Sequence, residues 1–157
     1  MAGEKYGDRA VAVLVAYVAA NLQTYLTAVE TAQSLTAGSM TPPAAYVASL
    51  ITNDPRTPVV MVDCDGGITE DWGENLHVYD CMAILAFSGD ADVSAGEAKA
   101  RRYMTAMLDC IRADATLGAT AEYAECTSQD FDAQVGGDSM TRHAVGLGVM
   151  VRIHEPT

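Results

Sequence analysis

Positive charge is what this sequence has least of. Nine Lys and Arg stand against twenty-one Asp and Glu, a formal net charge of -12. A nucleic-acid grip needs clustered basic side chains to neutralise phosphates, so that class of surface is excluded. Electrostatic docking on anionic lipid is excluded for the same reason. Long apolar runs are missing too. The stretch from Ala10 to Ala20 gives way to Asn21 after eleven residues, short of a bilayer span. The opening residues, MAGEKYGDRAVAV, lack a basic region followed by an apolar core and a cleavage site, so the expectation is synthesis and retention in the cytoplasm, with no membrane partner. The four cysteines, Cys64, Cys81, Cys110 and Cys126, include no C-x-x-C pair, which argues against a zinc knuckle or a thioredoxin-like site. Each lies in an apolar or strand-like stretch and reads as a small buried hydrophobe in a reducing compartment.

Catalytic motifs are absent as well. There is no G-x-S-x-G elbow, no H-E-x-x-H and no phosphate-binding G-x-x-x-x-G-K-S/T. Asp63-x-Asp65 with Glu74 at position twelve has the outline of a calcium loop. Gly67 stands where a ligand is required and Ile68 where the loop needs glycine, so no metal is expected. The three histidines fall at a strand start (His77), on an apolar strand face (His143) and near the C-terminus (His154). The chain is read as no enzyme and as needing no cofactor.

What remains is enough for a packed core. Half of the 157 residues are apolar and 19% are charged, the balance of one folded domain over 1–157. Val11, Leu14, Val15, Val18, Leu22, Tyr25 and Val29 recur at helical spacing, giving a first helix over about 8–32 with Asp8 as its cap. Its other face is small and polar, with Arg9 and Glu30 at the ends, and suits contact with another subunit. Prolines punctuate 36–58, where Ala44–Ile51 fits a short helix or an edge strand equally well. VVMVD from Val59 reads as a short buried strand, Asp63–Glu74 as a glycine-bearing loop, and His77–Phe87 as a long central strand. Ser94-Ala95-Gly96-Glu97 is a capping box opening a second helix, whose inner face carries Ala100, Tyr103, Met104, Met107, Leu108 and Ile111. Leu117-Gly118 marks its exit. Ala121–Asp132 alternates weakly. From Arg142 to Ile153 the alternation is strict, and Gly146 and Gly148 leave one face of that strand bare for close packing. Gly136-Gly137-Asp138-Ser139 supplies the preceding turn. Met82, Met104 and Met107 read as core filler. The element order gives an α+β fold, a mostly antiparallel sheet with two amphipathic helices packed on one face.

Acid is concentrated rather than dispersed. Asp63, Asp65, Glu70, Asp71 and Glu74 share one base-free segment with Trp72, and Glu122, Glu125, Asp130, Asp132 and Asp138 share another. Solubility alone explains such runs. A second explanation is a surface that DNA passes without sticking, and a third is contact with basic patches on a neighbouring protein.

The order of pieces then resembles a known family. An amphipathic helix leads through a proline-rich link to PVVMVDCDGG, then HVYDCMAILAFSGD, then the helix SAGEAKARRYMTAMLDCIRAD, the exit ATLGATAEYAECTSQDFD and the closing RHAVGLGVMVRIHE. This resembles the tail terminator proteins of long-tailed bacteriophages, most tellingly in Asp114-Ala115-Thr116-Leu117-Gly118 and the strand ending near Asp130-Phe131. The resemblance implies a structural virion protein at the head–tail junction. It implies a hexameric ring of identical chains that caps the tube of major tail protein and meets the head-completion or connector protein, with DNA passing through unbound. It carries no catalytic residues. The candidates for lumen or partner contact are Asp63, Asp65, Glu70, Asp71, Trp72, Glu74, Asp90 and Asp92, in the Asp63–Glu74 and Phe87–Ser94 segments. Other expectations left open are a different neck or tube protein and a small cytoplasmic enzyme or binding protein.

Overall fold

A computed structural model describes residues 7–50, 57–69, 76–89, 93–135 and 141–154. For 65–69, 89, 93, 94 and 135 only the backbone is described. Two helices, α1 (Asp8–Ala32) and α2 (Val93–Arg112), accompany five strands: β1 (Ala45–Val47), β2 (Val59–Thr69), β3 (Leu76–Gly89), β4 (Tyr123–Val135) and β5 (Thr141–His154). The strands form one sheet in the order β1-β2-β3-β5-β4. All neighbours are antiparallel except the short edge pair β1–β2. The fold is α+β, with both helices on the same side of the sheet.

Alternation decides which face they cover. Val60, Val62, Leu85, Phe87, Val145, Leu147, Val149 and Val151 are all buried and all point to the helix side. Leu14, Leu22 and Leu26 of α1 and Tyr103, Met107 and Ile111 of α2 meet them in one continuous apolar cluster. α1 is long and apolar enough, by length and composition, to cross a membrane, a test that core helices also pass. Its length therefore does not exclude a span, although nine of its residues are buried within this fold.

Several local details differ from the reading of the sequence. Gly7, at φ +93°, occupies the cap of α1, and Asp8 instead opens the first turn, where its charge favours the helix dipole. Glu30 is buried rather than on the outer face: its Oε2 accepts the backbone N–H of Met40 at 2.9 Å. Tyr103 of α2 donates to the Thr41 carbonyl at 2.7 Å, so both helices grip the proline-rich link. Ala45–Val47 resolves as the edge strand. β2 runs on through Gly67 to Thr69, because a bulge between Cys64 and Gly67 resets its pairing with β3. Glycines that signal a loop in sequence serve here as the flexible residues of that bulge. The backbone of Ser94 lies within α2, and its side chain is outside the described residues, as is the turn 136–140.

After α2, the chain winds through a tight knot. The Asp114 carboxylate accepts from Thr116 N–H at 2.9 Å, Thr116 Oγ1 at 2.6 Å and Gly118 N–H at 3.0 Å. Leu117, Gly118 and Ala119 all sit at positive φ, which the three bonds to Asp114 help hold in place.

Candidate functional site

The sheet has a second face that neither helix touches. β2 contributes Met61 and Asp63, β3 Val78, Asp80, Met82, Ile84 and Ala86, and β5 Ala144, Gly146, Gly148 and Met150. Cross-strand register sets Met61 beside Ile84, Ile84 beside Gly146, and Met82 beside Gly148. Met61, Val78, Met82, Ile84 and Met150 are each half-buried within the chain. Around this apolar centre stand exposed carboxylates: Asp63 opposite Met82, Asp80 opposite Met150, Glu125 also opposite Met150, and Asp130 and Asp132 along β4. Met82 therefore belongs to the outer face and not to the core with Met104 and Met107. The long strand β3 is apolar on both faces, so its sequence does not reveal which methionine points where.

Gly146 and Gly148 lie on this face, and their bareness is used within the chain. A β-carbon on Gly148 would run into Ser128 Oγ and stand 2.9 Å from Thr127 Oγ1, where β4 bulges between Cys126 and Ser128. β4 is an edge strand, and Phe131 on it is 54% exposed. An exposed edge with an aromatic side chain is a template for pairing or packing with another chain.

Two further features bear on contact. The exposed side of α1 presents Ala12, Ala16 and Ala20 along a groove of about 630 Å³, closed by Leu117 and Gly118 of the knot. The Tyr17 hydroxyl lies beneath it, donating to the Cys110 carbonyl at 2.7 Å, and burial pushes its phenol up to about 12. At the far end of the sheet, a cleft of about 300 Å³ is lined by Glu97, Arg101, Phe131, Asp132 and His143. The His143 ring is buried, stacks on Phe87 at 5.2 Å, and fills the space that a side chain at Gly96 would need. Its Nε2 has no hydrogen-bond partner among the described residues. Among the described residues, no group of three His, Cys, Asp or Glu is placed to hold a metal ion.

Of the acidic residues singled out in the sequence for lumen or partner contact, only Asp63 and Asp65 lie within the described residues. Asp63 is exposed on the outer face of β2, and Asp65 lies in β2 with only its backbone described. Glu70, Asp71, Trp72, Glu74, Asp90 and Asp92 lie outside the described residues. The sequence reading gives no contact role to the outer methionines, Phe131 or His143, and it places Met82 in the core. The signal available for His143 was a histidine on an apolar strand face together with a glycine inside a helical turn. In comparisons with known proteins, no family model and no curated protein matches this chain.

Proposed function

We propose that the chain is a structural virion protein, a tail terminator whose copies close into a ring, six on the resemblance, that caps the tail tube and joins it to the head connector. The observation that supports it best is the outer sheet face, which neither helix covers among the described residues, apolar at its centre and fringed by carboxylates. A patch of partly exposed methionine, isoleucine and valine on one sheet face suits burial against protein. A ring needs two different surfaces per subunit, one complementary to the other. The outer sheet face and the alanine-lined groove of α1 lie on opposite sides of the fold and supply such a pair. The fringe of carboxylates and the net charge of -12 suit a bore that repels DNA phosphates.

The test uses the purified full chain. Native mass spectrometry and negative-stain electron microscopy, alone and with assembled tail tubes, are expected to show rings in solution or a cap at one tube end. Ile84→Asp points outward, so it should keep the circular dichroism spectrum while abolishing both. A chain that forms no ring and binds no tube end, or an Ile84→Asp variant that assembles normally, overturns the reading.

A further inference from the structure

Two thiols face each other across neighbouring strands of the sheet. Cys64 of β2 and Cys81 of β3 are directly paired in register, both point to the helix side, and their sulfurs are 3.1 Å apart. Both are reduced. Directly opposed residues of antiparallel strands have Cα atoms about 4.5 to 5.5 Å apart, inside the range a disulfide spans. Cys64 is half-exposed, whereas Cys81 is buried. The bulge between Cys64 and Gly67 gives β2 slack beside the pair.

We propose that Cys64 and Cys81 are a redox modification site, closing to a cross-strand disulfide by exchange with a low-molecular-weight disulfide such as glutathione disulfide.

The two cysteines have distinct roles. Gly7, the cap of α1, lies over Cys64, so that a β-carbon there would be 3.3 Å from the sulfur. Cys64 thus lies beside the N-terminal end of α1. The hydrogen bond with Cys64 and burial push the Cys81 thiol up, so it keeps its proton until the second step. Cys64, as thiolate, attacks one sulfur of the small disulfide and expels one thiolate, leaving a mixed disulfide. Cys81 then gives up its proton, attacks the Cys64 sulfur and expels the second thiolate. Two electrons pass from the protein to the reagent, and the two protons released end on the two small thiols. The product ties β2 to β3 across the segment between residues 64 and 81. Cys110 has no such partner: it is buried and its thiol is pushed up to about 12 by burial.

The full-length protein is incubated with glutathione disulfide, quenched in acid, alkylated and weighed intact, then digested without reduction. The expected result is a mass lower by about 2 Da before alkylation, loss of two alkylatable thiols, and one peptide pair joining Cys64 to Cys81. Cys81→Ser should stop at a glutathione adduct on Cys64, and Cys126→Ser should oxidise like wild type. Should Cys81→Ser fail to fold, the wild-type peptide map and Cys126→Ser decide the matter. A wild-type protein that stops at the adduct, keeps all four thiols, or joins Cys126 instead overturns the assignment.

Discussion

Replacing Gly96 with alanine should cancel or reverse the usual gain from that change in a helix. Inside an ordinary helix the swap stabilises by about 1 kcal/mol, because glycine loses more backbone freedom on folding. Gly96 is in the first turns of α2, but the place of its missing side chain is taken by the His143 imidazole, with Nε2, Cε1 and Cδ2 all within 2.8 Å of an added β-carbon. The ring has no easy way out. It is 2% exposed, lies opposite Phe87 in the β3–β5 register and stacks on it at an interplanar angle of 14°. Forcing a methyl group into such a packed site costs about 1–3 kcal/mol. The overpacking therefore offsets or outweighs the propensity gain, for a net loss of up to about 2 kcal/mol. That corresponds to a fall in Tm of up to about 8 °C for a chain of this size. Urea unfolding followed by far-ultraviolet circular dichroism, at one fixed protein concentration, measures it directly. The decisive arm is the double-mutant cycle. In a His143→Ala background the obstruction is gone, so Gly96→Ala should regain its ordinary stabilising sign. If Gly96→Ala stabilises both backgrounds equally, the close approach between α2 and β5 is not a constraint and the reasoning fails.

Glu30→Ala should destabilise by about 1.5–3 kcal/mol in the same urea assay, since it strips a charged acceptor from the buried Met40 N–H; Glu30→Gln, which keeps an acceptor, should lose less. Asp114 predicts an acid limb. Its three hydrogen bonds, led by the Thr116 hydroxyl, hold its carboxyl below the ordinary 3.8, so the folded state binds that proton less readily than the unfolded state. Its contribution is complete above about pH 4 and fades as pH falls through the lowered folded value. Tm measured from pH 7 to pH 2 should therefore show wild type above Asp114→Ala at neutral pH and the gap narrowing in acid; a gap that stays constant would refute the assignment.

The elements with a strict period are the ones the sequence makes plain. Val145, Leu147, Val149, Val151 and Ile153 alternate without a break, and all are buried. Leu14, Val18, Leu22 and Val29 keep helical spacing and are buried likewise. The sequence is ambiguous where two faces compete or where a residue's role is settled by a distant neighbour. β3 is apolar on both sides, so Met82 reads as core. Gly66 and Gly67 look like a loop until a bulge is set against Tyr79. Glu30 looks solvent-facing because its partner, the Met40 amide, is an irregular backbone group ten residues away. Of the candidate contact residues, the acidic segments were chosen for charge, which is visible in a string of letters. The outer apolar face is a property of sheet register across three strands, which no single stretch of sequence displays.

Salt dependence separates the two ways in which copies of this chain could be held together. Each copy carries a net charge of -12, so bringing copies side by side costs Coulomb repulsion. Added salt shrinks the Debye length from about 10 Å at 0.1 M to about 3 Å at 1 M and removes most of that cost. Apolar burial of Met61, Met82, Ile84 and Met150 is not weakened by the same screening. An assembly resting on the outer sheet face should therefore tighten as sodium chloride is raised from 0.05 to about 0.5 M. Contacts made by the carboxylates with Arg101, Arg112 or Arg142 of a neighbouring copy would behave in the opposite way, because screening weakens exposed ion pairs. Sedimentation velocity at matched protein concentration distinguishes the two. Dissociation on adding salt would transfer the interface from the methionine patch to the charged rim, and Ile84→Asp would then cease to be the disruptive substitution.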